Sequence, residues 1–596
     1  MLFPQPQRYR FLNESYRLEG AFESYSLVEL YKAVKSGIDE ITVKNDPTLR
    51  KEEYSINIDL NGITVCVSCD EGLYRASTSL LQLIKKGNGS VPCCQVVDFP
   101  ILSRRGYMLD ISRCRMPKVE TIKQIIDYIS SLKYNEFQLY MEGHVFKYKE
   151  FPQYTDSFEC LTPDNIEEID RYCKERFIDF VPNQNSLGHL RQWLDEKELS
   201  HLAVNGDGQG SGTINPLDPE SLDFIDRLYA SVLPHYSSDC INIGLDEAYG
   251  LGKGQTADYC ARYGKDVLFM EWLGKISGLA DKYRKKNVMF WSDMIYKFDK
   301  TYNMIPENAT LLEWGYELIQ SQRMTEHCIK FKNAGLKYYV CPSCNTHYTF
   351  TGRMDVTTFN IRTTAEIAAE HGGEGLLLTD WGNGDGHPHF WVWSAVPIAL
   401  AGQYAWNIGI EQDGEKFKPE FIRNSEKYVD EVLFNGANVS RLLYRMGNYY
   451  LLEPERVHCS TMCGGTFKLP LTETNFNNLF DLKDSGDAFY FDNIIGYVTS
   501  VLSDIEKIAF DKRLKREIAV NSKTVILSAE LCKLRLGYGL STEKKKELID
   551  LIDWIADEYR ELWLYRNFEK GVEDFENQLA GRKADLLAME PTTKSP

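Results

Sequence analysis

Between residues 104 and 408 the chain repeats one pattern, a short apolar run followed by a longer amphipathic stretch. The apolar runs are continuous rather than alternating, which is typical of parallel strands buried on both faces. Eight such runs begin at Gly106, Glu136, Asp179, Ile241, Val288, Thr310, Tyr338 and Gly375. Helices are predicted between them at 119–132, 163–176, 221–233, 267–285, 318–334 and 357–371. Eight strand–helix units over roughly 300 residues predict a (β/α)8 barrel, which is an α/β fold.

An open, doubly wound sheet is the alternative fold for this pattern. Such a sheet usually carries a glycine-rich phosphate-binding turn after its first strand. Here the first strand runs into Asp110-Ile111-Ser112-Arg113, which contains no glycine. We therefore predict the closed barrel.

The two flanking segments have other patterns and predict two further domains. Strand-like runs at 40–43, 54–58 and 63–67, with an amphipathic helix at 73–85, predict a small α+β domain over residues 1–102. Beyond residue 410 the pattern is helical, at 421–433, 493–508, 514–535 and 542–565. We expect the barrel to occupy residues 103–410 and a mostly helical domain to occupy residues 411–596.

The chain has 596 residues and a formal net charge of -18, which narrows the classes of partner. Nucleic acids and anionic membranes bind basic patches, so we expect neither as a partner. No apolar run is long enough to span a bilayer, and the N-terminus does not resemble a secretion signal. These features predict a cytoplasmic protein, and a homodimer is left open as its assembly.

Metal and redox chemistry find little support in the sequence. Cys341-Pro342-Ser343-Cys344 has the spacing of half a zinc or redox site, but no second half accompanies it. The histidines form no HExxH motif and no two-histidine, one-carboxylate pattern on one element. We expect reduced thiols, no metal and no cofactor.

Acidic and amide side chains follow most of the predicted strands, and the fourth strand is predicted to run up to Asp246 and Glu247. In a parallel barrel, the carboxyl ends of the strands face the active site. Asp246 and Glu247 are the most informative of these residues, because two neighbouring carboxylates repel each other and partial burial raises one pKa further. A carboxyl that keeps its proton near neutral pH can act as a general acid. An acidic loop or a helix N-terminus is the simpler interpretation.

Tryptophans stand at three of the same strand ends, as Trp291, Trp314 and Trp381. Aromatic faces match the C–H faces of a pyranose ring, while carboxylates and amides bind its hydroxyl groups. Three tryptophans at one end of a barrel therefore predict a sugar pocket. The Gly-x-Ser-x-Gly motif of a serine nucleophile is absent.

These residues resemble those of a known family. The stretch RGYMLDISR, residues 105–113, resembles the first barrel strand of glycoside hydrolase family 20, the β-N-acetylhexosaminidases. Gly188-His189 resembles that family's Pro-Gly-His element, and Gly244-Leu245-Asp246-Glu247 resembles its acidic signature, usually His-x-Gly-Gly-Asp-Glu. The resemblance covers roughly residues 20–410. The helical segment beyond resembles an addition found in a divergent bacterial branch.

The resemblance implies a retaining, exo-acting β-N-acetylhexosaminidase without a cofactor, acting on a glycan that contains N-acetylhexosamine. In this family the substrate's own 2-acetamido oxygen attacks the anomeric carbon and forms an oxazolinium intermediate. Glu247 would move the proton, Asp246 would orient the acetamido group, and Tyr348 would hold its oxygen. The substrate-binding residues that the resemblance implies are Arg105, Glu142, His144, Asn185, His189, Trp291, Asp293, Trp314, Asn345, Trp381 and Asp385.

The sequence departs from the family pattern around the catalytic pair. Asn242 and Leu245 stand where the family usually has His and Gly, and Asn383 stands where a Glu is expected after Trp381. Two other functions remain open. One is an ordinary retaining glycosidase with Glu247 as acid/base and Glu313 as nucleophile; the other is a non-catalytic glycan-binding protein.

Overall fold

A computed structural model describes residues 2–87, 89–205, 212–409, 419–472 and 488–591. Its N-terminal part is a five-stranded sheet with two helices. The elements are β1 (Arg8–Arg17), α1 (Leu27–Ser36), β2 (Ile41–Asn45), β3 (Tyr54–Asp59), β4 (Gly62–Val67), α2 (Asp70–Gly87) and β5 (Ser90–Asp98). The strand order is β1-β5-β3-β4-β2, with β2 parallel to β4 and the other neighbours antiparallel.

Alternating burial explains which of these strands the sequence reveals. On β3, Tyr54, Ile56 and Ile58 are buried while the residues between them are partly exposed, which gives the expected period of two. Strand β1 is exposed along nearly its whole length, so no alternation marks it in the sequence.

The central part is a closed barrel of eight parallel strands, as predicted. Its first half contains β6 (Arg104–Asp110), α3 (Val119–Ser131), β7 (Glu136–Met141), α4 (Pro163–Lys174), β8 (Asp179–Gln184), α5 (Arg191–Leu194), α6 (Pro219–Val232), β9 (Cys240–Asn242), α7 (Ala257–Tyr263) and α8 (Lys265–Lys282). Its second half contains β10 (Asn287–Trp291), β11 (Ala309–Trp314), α9 (Ser321–Asn333), β12 (Lys337–Cys341), α10 (Met354–His371), β13 (Gly375–Asp380) and α11 (Ala395–Trp406). Pairing of β13 with β6 closes the barrel.

The third part is helical and packs directly on the barrel. Its helices are α12 (Pro419–Leu433), α13 (Ser440–Met446), α14 (Met462–Phe467), α15 (Ala488–Glu506), α16 (Lys512–Arg535), α17 (Thr542–Arg566) and α18 (Val572–Ala588). One continuous hydrophobic core joins these helices to the outer layer of the barrel. The boundary expected at residues 410 and 411 lies outside the described residues. None of the described helices has both the length and the apolar character needed to cross a bilayer.

Candidate active site

Asp246 and Glu247 lie on a turn rather than at the end of a strand. Strand β9 ends four residues before Asp246, so the prediction that this strand runs up to the pair is wrong. Gly244, Leu245 and Glu247 have φ angles of 75°, 76° and 48°, a left-handed region that costs non-glycine residues roughly 1–3 kcal/mol each. The backbone N–H of Glu247 donates to Asp293 Oδ2 at 3.0 Å, which holds the turn in place.

Two glycines allow neighbouring loops to reach this turn. A Cβ atom at Gly188 would lie 2.1 Å from the carbonyl oxygen of Asp246. A Cβ atom at Gly244 would lie 2.0 Å from Asn185 Oδ1. Both distances are far inside van der Waals contact, so only glycine lets the loop after β8 place His189 beside the carboxylates.

His189 bridges the two carboxylates. Its Nε2 lies 3.1 Å from Asp246 Oδ2 and 3.4 Å from Glu247 Oε2, and its Nδ1 lies 3.5 Å from Glu142 Oε2. Burial alone would lower the pKa of His189, but the charge of Asp246 and the hydrogen bonds to both carboxylates raise it to about 10. The imidazole is therefore charged at neutral pH and offsets part of the acidic charge.

The carboxyl whose pKa is raised is that of Asp293, and not that of Glu247. The hydrogen bond from His189 lowers the pKa of Glu247, contrary to the expectation that repulsion would raise it. Burial, and then the charge of Asp246, raise the pKa of Asp293 to about 7. Three carboxylates therefore share this side of the barrel mouth, and Asp293 gains and loses its proton near neutral pH.

Arg113, rather than Arg105, reaches the barrel mouth. Its guanidinium lies 3.3 Å from Asp110 Oδ2 and 3.1 Å from Glu142 Oε2. It also lies 5.0 Å from the ring centroid of Trp381. Because β6 runs towards the mouth, the residue after its carboxyl end is placed there. Arg113 was not among the predicted substrate-binding residues.

Arg105 lies at the opposite end of the same strand, and its predicted contact with sugar is wrong. Its buried guanidinium pairs with Glu52 of the N-terminal domain and donates to the carbonyl oxygen of Lys133 at 2.8 Å. It also stacks over Trp406, with 5.0 Å between guanidinium carbon and ring centroid. Arg105 therefore joins the N-terminal domain to the barrel.

The three predicted tryptophans do come together. Trp291 and Trp381 lie in the cluster that fills the barrel interior, and Trp314 packs against it. The ring centroids of Trp291 and Trp381 are 5.9 Å apart. Trp381 Nε1 donates to Tyr316 Oη at 2.8 Å, and Tyr316 stacks on Trp314. We call these three tryptophans with Tyr316 the aromatic wall.

The aromatic wall adjoins the acidic pair. The backbone N–H of Trp291 donates to the carbonyl oxygen of Gly244, two residues before Asp246, at 3.0 Å. Trp314 lies near enough to Asp293 to lower the pKa of that carboxyl. The aromatic rings and the carboxylates therefore face one space at the mouth of the barrel.

Tyr140, which the sequence did not reveal, links several predicted residues. Its hydroxyl group donates to Glu142 Oε2 at 2.8 Å and accepts from Asn185 Nδ2 at 2.8 Å. Its ring meets that of Trp381 edge to face, with centroids 4.8 Å apart. Tyr140 points into the barrel two residues before Glu142, as the alternation of a strand requires.

Tyr348 lies on a strained loop at the rim. Its φ angle is 52° and its side chain is 40% exposed. The backbone N–H donates to Asn383 Oδ1 at 2.7 Å, and the carbonyl oxygen accepts from Ser460 Oγ of the helical domain at 2.8 Å. Asn345, three residues earlier, is buried and its Oδ1 accepts from Arg353 at 3.3 Å. Asn345 therefore supports this loop.

Two further predicted residues have other contacts. Asp385 forms an ion pair with Lys468 of the helical domain at 2.5 Å, so its carboxylate already has a partner. His144 is enclosed by Trp193 and Tyr154, at centroid distances of 4.4 and 5.3 Å. Burial lowers the pKa of His144 to about 4, so it is neutral.

Glu313 faces away from the mouth, which removes it as a nucleophile. Leu312 lies in the barrel interior, Trp314 packs there too, and the residue between them points outwards. Its carboxylate lies 2.8 Å from Nδ1 of His327 on α9 and accepts from Ser292 Oγ at 2.5 Å. The alternative mechanism with Glu313 attacking the sugar is therefore wrong.

A cavity of about 660 Å³ opens beside this cluster. Arg113, Glu142, His189 and Tyr348 are among its lining residues, as is the segment 570–574 of the helical domain. A larger cavity, of about 1130 Å³, lies where the N-terminal domain, α3 and the helical domain meet. Its lining contains none of the predicted site residues, so the smaller cavity is the one that belongs to the site.

Within the described residues, Glu317, His458 and Cys459 form the one group with the donor atoms for a metal, which lie within 4.8 Å of one another. Glu317 Oε1 already accepts from the backbone N–H of Cys459 and pairs with Arg353, each at 2.7 Å. Burial raises the pKa of the Cys459 thiol to about 12, so it keeps its proton. These contacts do not suit a metal ion.

Comparison with known proteins identifies the family. The model of glycosyl hydrolase family 20, catalytic domain, matches residues 103–365, and that of glycosyl hydrolase family 20, domain 2, matches residues 14–99. Together the two ranges span more than half of the chain. The chain belongs to glycosyl hydrolase family 20. The resemblance read from the first strand and from the acidic signature is thus confirmed.

Relatives and solved structures agree with this assignment. A β-hexosaminidase of Vibrio furnissii is 27% identical over 244 residues, which cover 35% of this chain and 40% of the relative. The chitobiase of Flavobacterium johnsoniae has a TM-score of 0.59 and 15% identity, over 97% of this chain and 99% of that one. An exo β-N-acetylglucosaminidase of Vibrio harveyi, in complex with N-acetylglucosamine, has a TM-score of 0.56 and 17% identity, over 73% and 78%.

The solved structures and the sequence relative support different statements about this chain. At such low identity, the two solved structures show that the fold is shared, and the chitobiase shares it across the helical domain as well. The match to the β-hexosaminidase spans about two fifths of that relative's length.

Proposed function

We propose that the protein is a retaining exo-β-N-acetylhexosaminidase that removes terminal β-linked GlcNAc or GalNAc from glycans. The observation that carries this proposal is the Asp246-Glu247 pair, bridged by His189 and adjoining the aromatic wall. The names of the two Vibrio proteins, a β-hexosaminidase and an exo β-N-acetylglucosaminidase, support the same activity. The cytoplasmic location and the homodimer stay predictions.

Asp246 is suited to orient the acetamido group of the substrate. His189 holds Oδ2, while Oδ1 is buried and has no hydrogen-bond partner within the described residues. An unpaired buried acceptor costs free energy, which a substrate N–H donor would recover. Accepting the acetamido N–H aligns the amide oxygen with the anomeric carbon and stabilises the charge that develops. An aligned intramolecular nucleophile can reach an effective molarity of ~10⁵ M or more.

Glu247 transfers the proton in both steps. In the first, the acetamido oxygen bonds to the anomeric carbon, the bond to the leaving oxygen breaks, and that oxygen takes the proton of Glu247. In the second, Glu247 takes a proton from water, and the water oxygen displaces the acetamido oxygen from the anomeric carbon. Each step inverts the configuration at the anomeric carbon, so the two steps together retain it.

Substrate binding must protonate Glu247 before the first step. In the free protein the hydrogen bond from His189 favours the carboxylate form of Glu247. A sugar that displaces water from the mouth disfavours that charge and raises the pKa, because burial penalises the ionised form. Asp293, whose pKa is raised to about 7, accepts from the backbone N–H of Glu247 and can also release a proton in this part of the mouth.

The test is hydrolysis of aryl β-GlcNAc, aryl β-GalNAc and aryl β-glucoside by the wild type and by Glu247→Gln. We expect turnover of the two acetamido sugars, inhibition by a thiazoline that mimics the oxazolinium ion, and loss of activity in Glu247→Gln. Turnover of the glucoside alone, unaffected by the thiazoline, would contradict the proposal. Binding of GlcNAc without turnover would instead identify a non-catalytic glycan-binding protein.

A further inference from the structure

The geometry points to a second sugar subsite that the helical domain completes, in which Lys570 and Asp574 bind a neutral sugar linked to the catalytic N-acetylhexosamine. This inference rests on the proposed function, because the second sugar is defined by its attachment to the first. The family's catalytic-domain match ends at residue 365, so both residues lie outside it.

The cavity of about 660 Å³ is continuous with the catalytic centre through shared side chains. His189 lines the cavity with one face and contacts Asp246 at 3.1 Å with Nε2. Arg113 lines it too and stacks on Trp381 of the aromatic wall. The volume lies within the range of ~300–1,000 Å³ that is usual for ligand pockets. Only the His189 side chain would therefore separate a sugar in the cavity from Asp246.

The side of the cavity formed by the helical domain is fixed in place. A Cβ atom at Gly571 would lie 1.9 Å from the carbonyl oxygen of Cys114, so the two backbones are in direct contact. The backbone N–H of Phe568 donates to the carbonyl oxygen of Met116 at 2.9 Å, and that of Lys118 donates to Arg566 at 2.9 Å. Lys570 and Asp574 are thus held opposite the loop after β6 before any ligand arrives.

The charges around the cavity select a neutral ligand. Four cationic and four acidic side chains line it, namely Arg113, His189, Arg191 and Lys570 with Glu142, Asp195, Glu573 and Asp574. A sulfated or uronic sugar would need an excess of positive charge. Sugar hydroxyl groups donate and accept, so a balanced set of donors and acceptors suits them.

Lys570 and Asp574 are lining residues whose side chains can form further hydrogen bonds with a ligand. No salt bridge within the described residues pairs either of them. The Cys114 thiol interacts with Asp574, and Lys570 lies 3.6 Å from the ring centroid of Phe158. Burial lowers the pKa of Lys570. By contrast, Lys468 pairs with Asp385, and Asn383 accepts from the backbone of Tyr348. The loop after β13, which carries the predicted substrate-binding residue Asp385, therefore has these two groups already engaged.

The experiment compares kcat/KM on extended glycans with kcat/KM on aryl β-GlcNAc. Both extended substrates carry a second, neutral sugar as the leaving group, which is GlcNAc in one and galactose in the other. In Lys570→Ala and Asp574→Asn we expect the ratio of extended to aryl kcat/KM to fall about tenfold on one of them. The substrate affected identifies the sugar that the subsite prefers.

Lys583→Ala is the matched control. Lys583 lies on α18, is remote from the cavity lining and pairs with Asp553 at 2.6 Å on the surface. It should leave both substrates unchanged. The inference is overturned if Lys570→Ala and Asp574→Asn keep the wild-type ratio on both extended substrates. It is also overturned if a sulfated disaccharide is preferred to the neutral one and Lys570→Ala removes that preference.

Calorimetry separates this inference from the proposed function. If the wild type fails to hydrolyse aryl β-GlcNAc, the proposed function fails, and binding of the same two extended sugars is measured instead. The subsite still predicts that Lys570→Ala and Asp574→Asn weaken binding of one extended sugar about tenfold while Lys583→Ala does not. Equal affinities in all three variants would contradict it.

Discussion

The two ends of the barrel differ in whether their buried polar groups have partners. At the amino end of the strands, Arg104 lies 2.9 Å from Glu136 and 2.8 Å from Asp179, and Arg105 pairs with Glu52. At the carboxyl end, Asp246 Oδ1, Asp293 Oδ1 and Trp291 Nε1 are buried without a hydrogen-bond partner in the described part of the chain. The charged side chains at the amino end form ion pairs, whereas these polar atoms at the carboxyl end have no protein partner and can bind a ligand.

Left-handed non-glycine residues occur at both ends but are more frequent at the mouth; those at the amino end are Lys133, Phe177 and Arg284. His189, Glu247, Asn345 and Tyr348 follow barrel strands at the mouth and have φ angles of 55°, 48°, 51° and 52°. Each left-handed non-glycine residue costs roughly 1–3 kcal/mol, which the surrounding core must offset. Unpaired polar atoms and strained residues together mark the mouth as the end that was built for function, because neither feature stabilises the fold.

Removal of the proton donor should have the largest effect. Glu247→Gln keeps the shape of the side chain but cannot give up a proton, so we expect kcat/KM for an unactivated glycan to fall about 10²–10⁴-fold. Steady-state kinetics on chitobiose measure this loss. Glu313→Gln is the matched control and should retain catalysis in the folded protein; a greater loss in that variant would reverse the assignment.

The two arginines at opposite ends of β6 should behave differently. Arg113→Met removes a cation beside Glu142 and Trp381, and we expect kcat/KM to fall about 10²-fold through charge-assisted contacts. Arg105→Met leaves Glu52 without one of its buried partners and should lower the free energy of unfolding by about 3 kcal/mol. Chemical denaturation and kinetics on both variants test this contrast. Equal losses of activity would show that the two ends are not distinct.

Trp381→Phe should have a smaller effect. The variant keeps an aromatic face but loses the hydrogen bond from Nε1 to Tyr316 and part of the ring area. We expect KM to rise roughly fivefold to tenfold, which corresponds to ~1 kcal/mol for the lost bond. Initial rates over a range of aryl β-GlcNAc concentrations measure it. An unchanged KM would mean that Trp381 does not contact the sugar.

The smallest expected effect is a shift in pH dependence. His189 lowers the pKa of Glu247 through a hydrogen bond to the ionised form. Replacing it in His189→Gln therefore raises the pKa of Glu247, keeps the acid protonated to higher pH, and moves the alkaline limb of kcat/KM upwards. Rate profiles from pH 4 to 9 test the direction. A downward shift would mean that His189 does not act on Glu247 in this way.

His189 also links pH to folding stability. Its pKa in the folded protein, about 10, is above the ordinary value of 6.5. The stabilisation from charged His189 is therefore complete below about pH 6.5 and is lost as pH rises towards 10. Denaturation of the wild type and His189→Gln across this range should show their difference in stability shrinking as pH rises.

Much of the fold could be predicted, because buried strands leave continuous apolar runs. All eight barrel strands were found in this way, and the tryptophans at their ends predicted the aromatic wall. Strand β1 was missed because it is exposed. The fourth strand was predicted too long because the apolar residues Ile243 and Leu245 continue past its end at Asn242. Their burial comes from the turn, which an apolar pattern cannot distinguish from a strand.

The errors at the site have equally definite causes. Arg105 and Arg113 flank one strand, and the family resemblance was interpreted as placing Arg105 at the sugar. The direction of the strand places Arg113 at the mouth instead. Glu313 was a candidate nucleophile because it stands at the end of a predicted strand. Only its position between Leu312 and Trp314, which both face the barrel interior, shows that its side chain points outwards. Lys570 lies far along the chain from the barrel residues it faces, so no local pattern could have placed it in the cavity.

The central claim is that the substrate's own acetamido oxygen is the nucleophile, oriented by Asp246. The most direct measurement is kcat/KM for aryl glycosides of glucosamine whose N-acetyl group carries zero, one, two or three fluorine atoms. Fluorine withdraws electron density from the amide oxygen, so the account predicts that kcat/KM falls steeply with each fluorine added. Rates that stay constant across the series would show that another group attacks the sugar and would contradict the account.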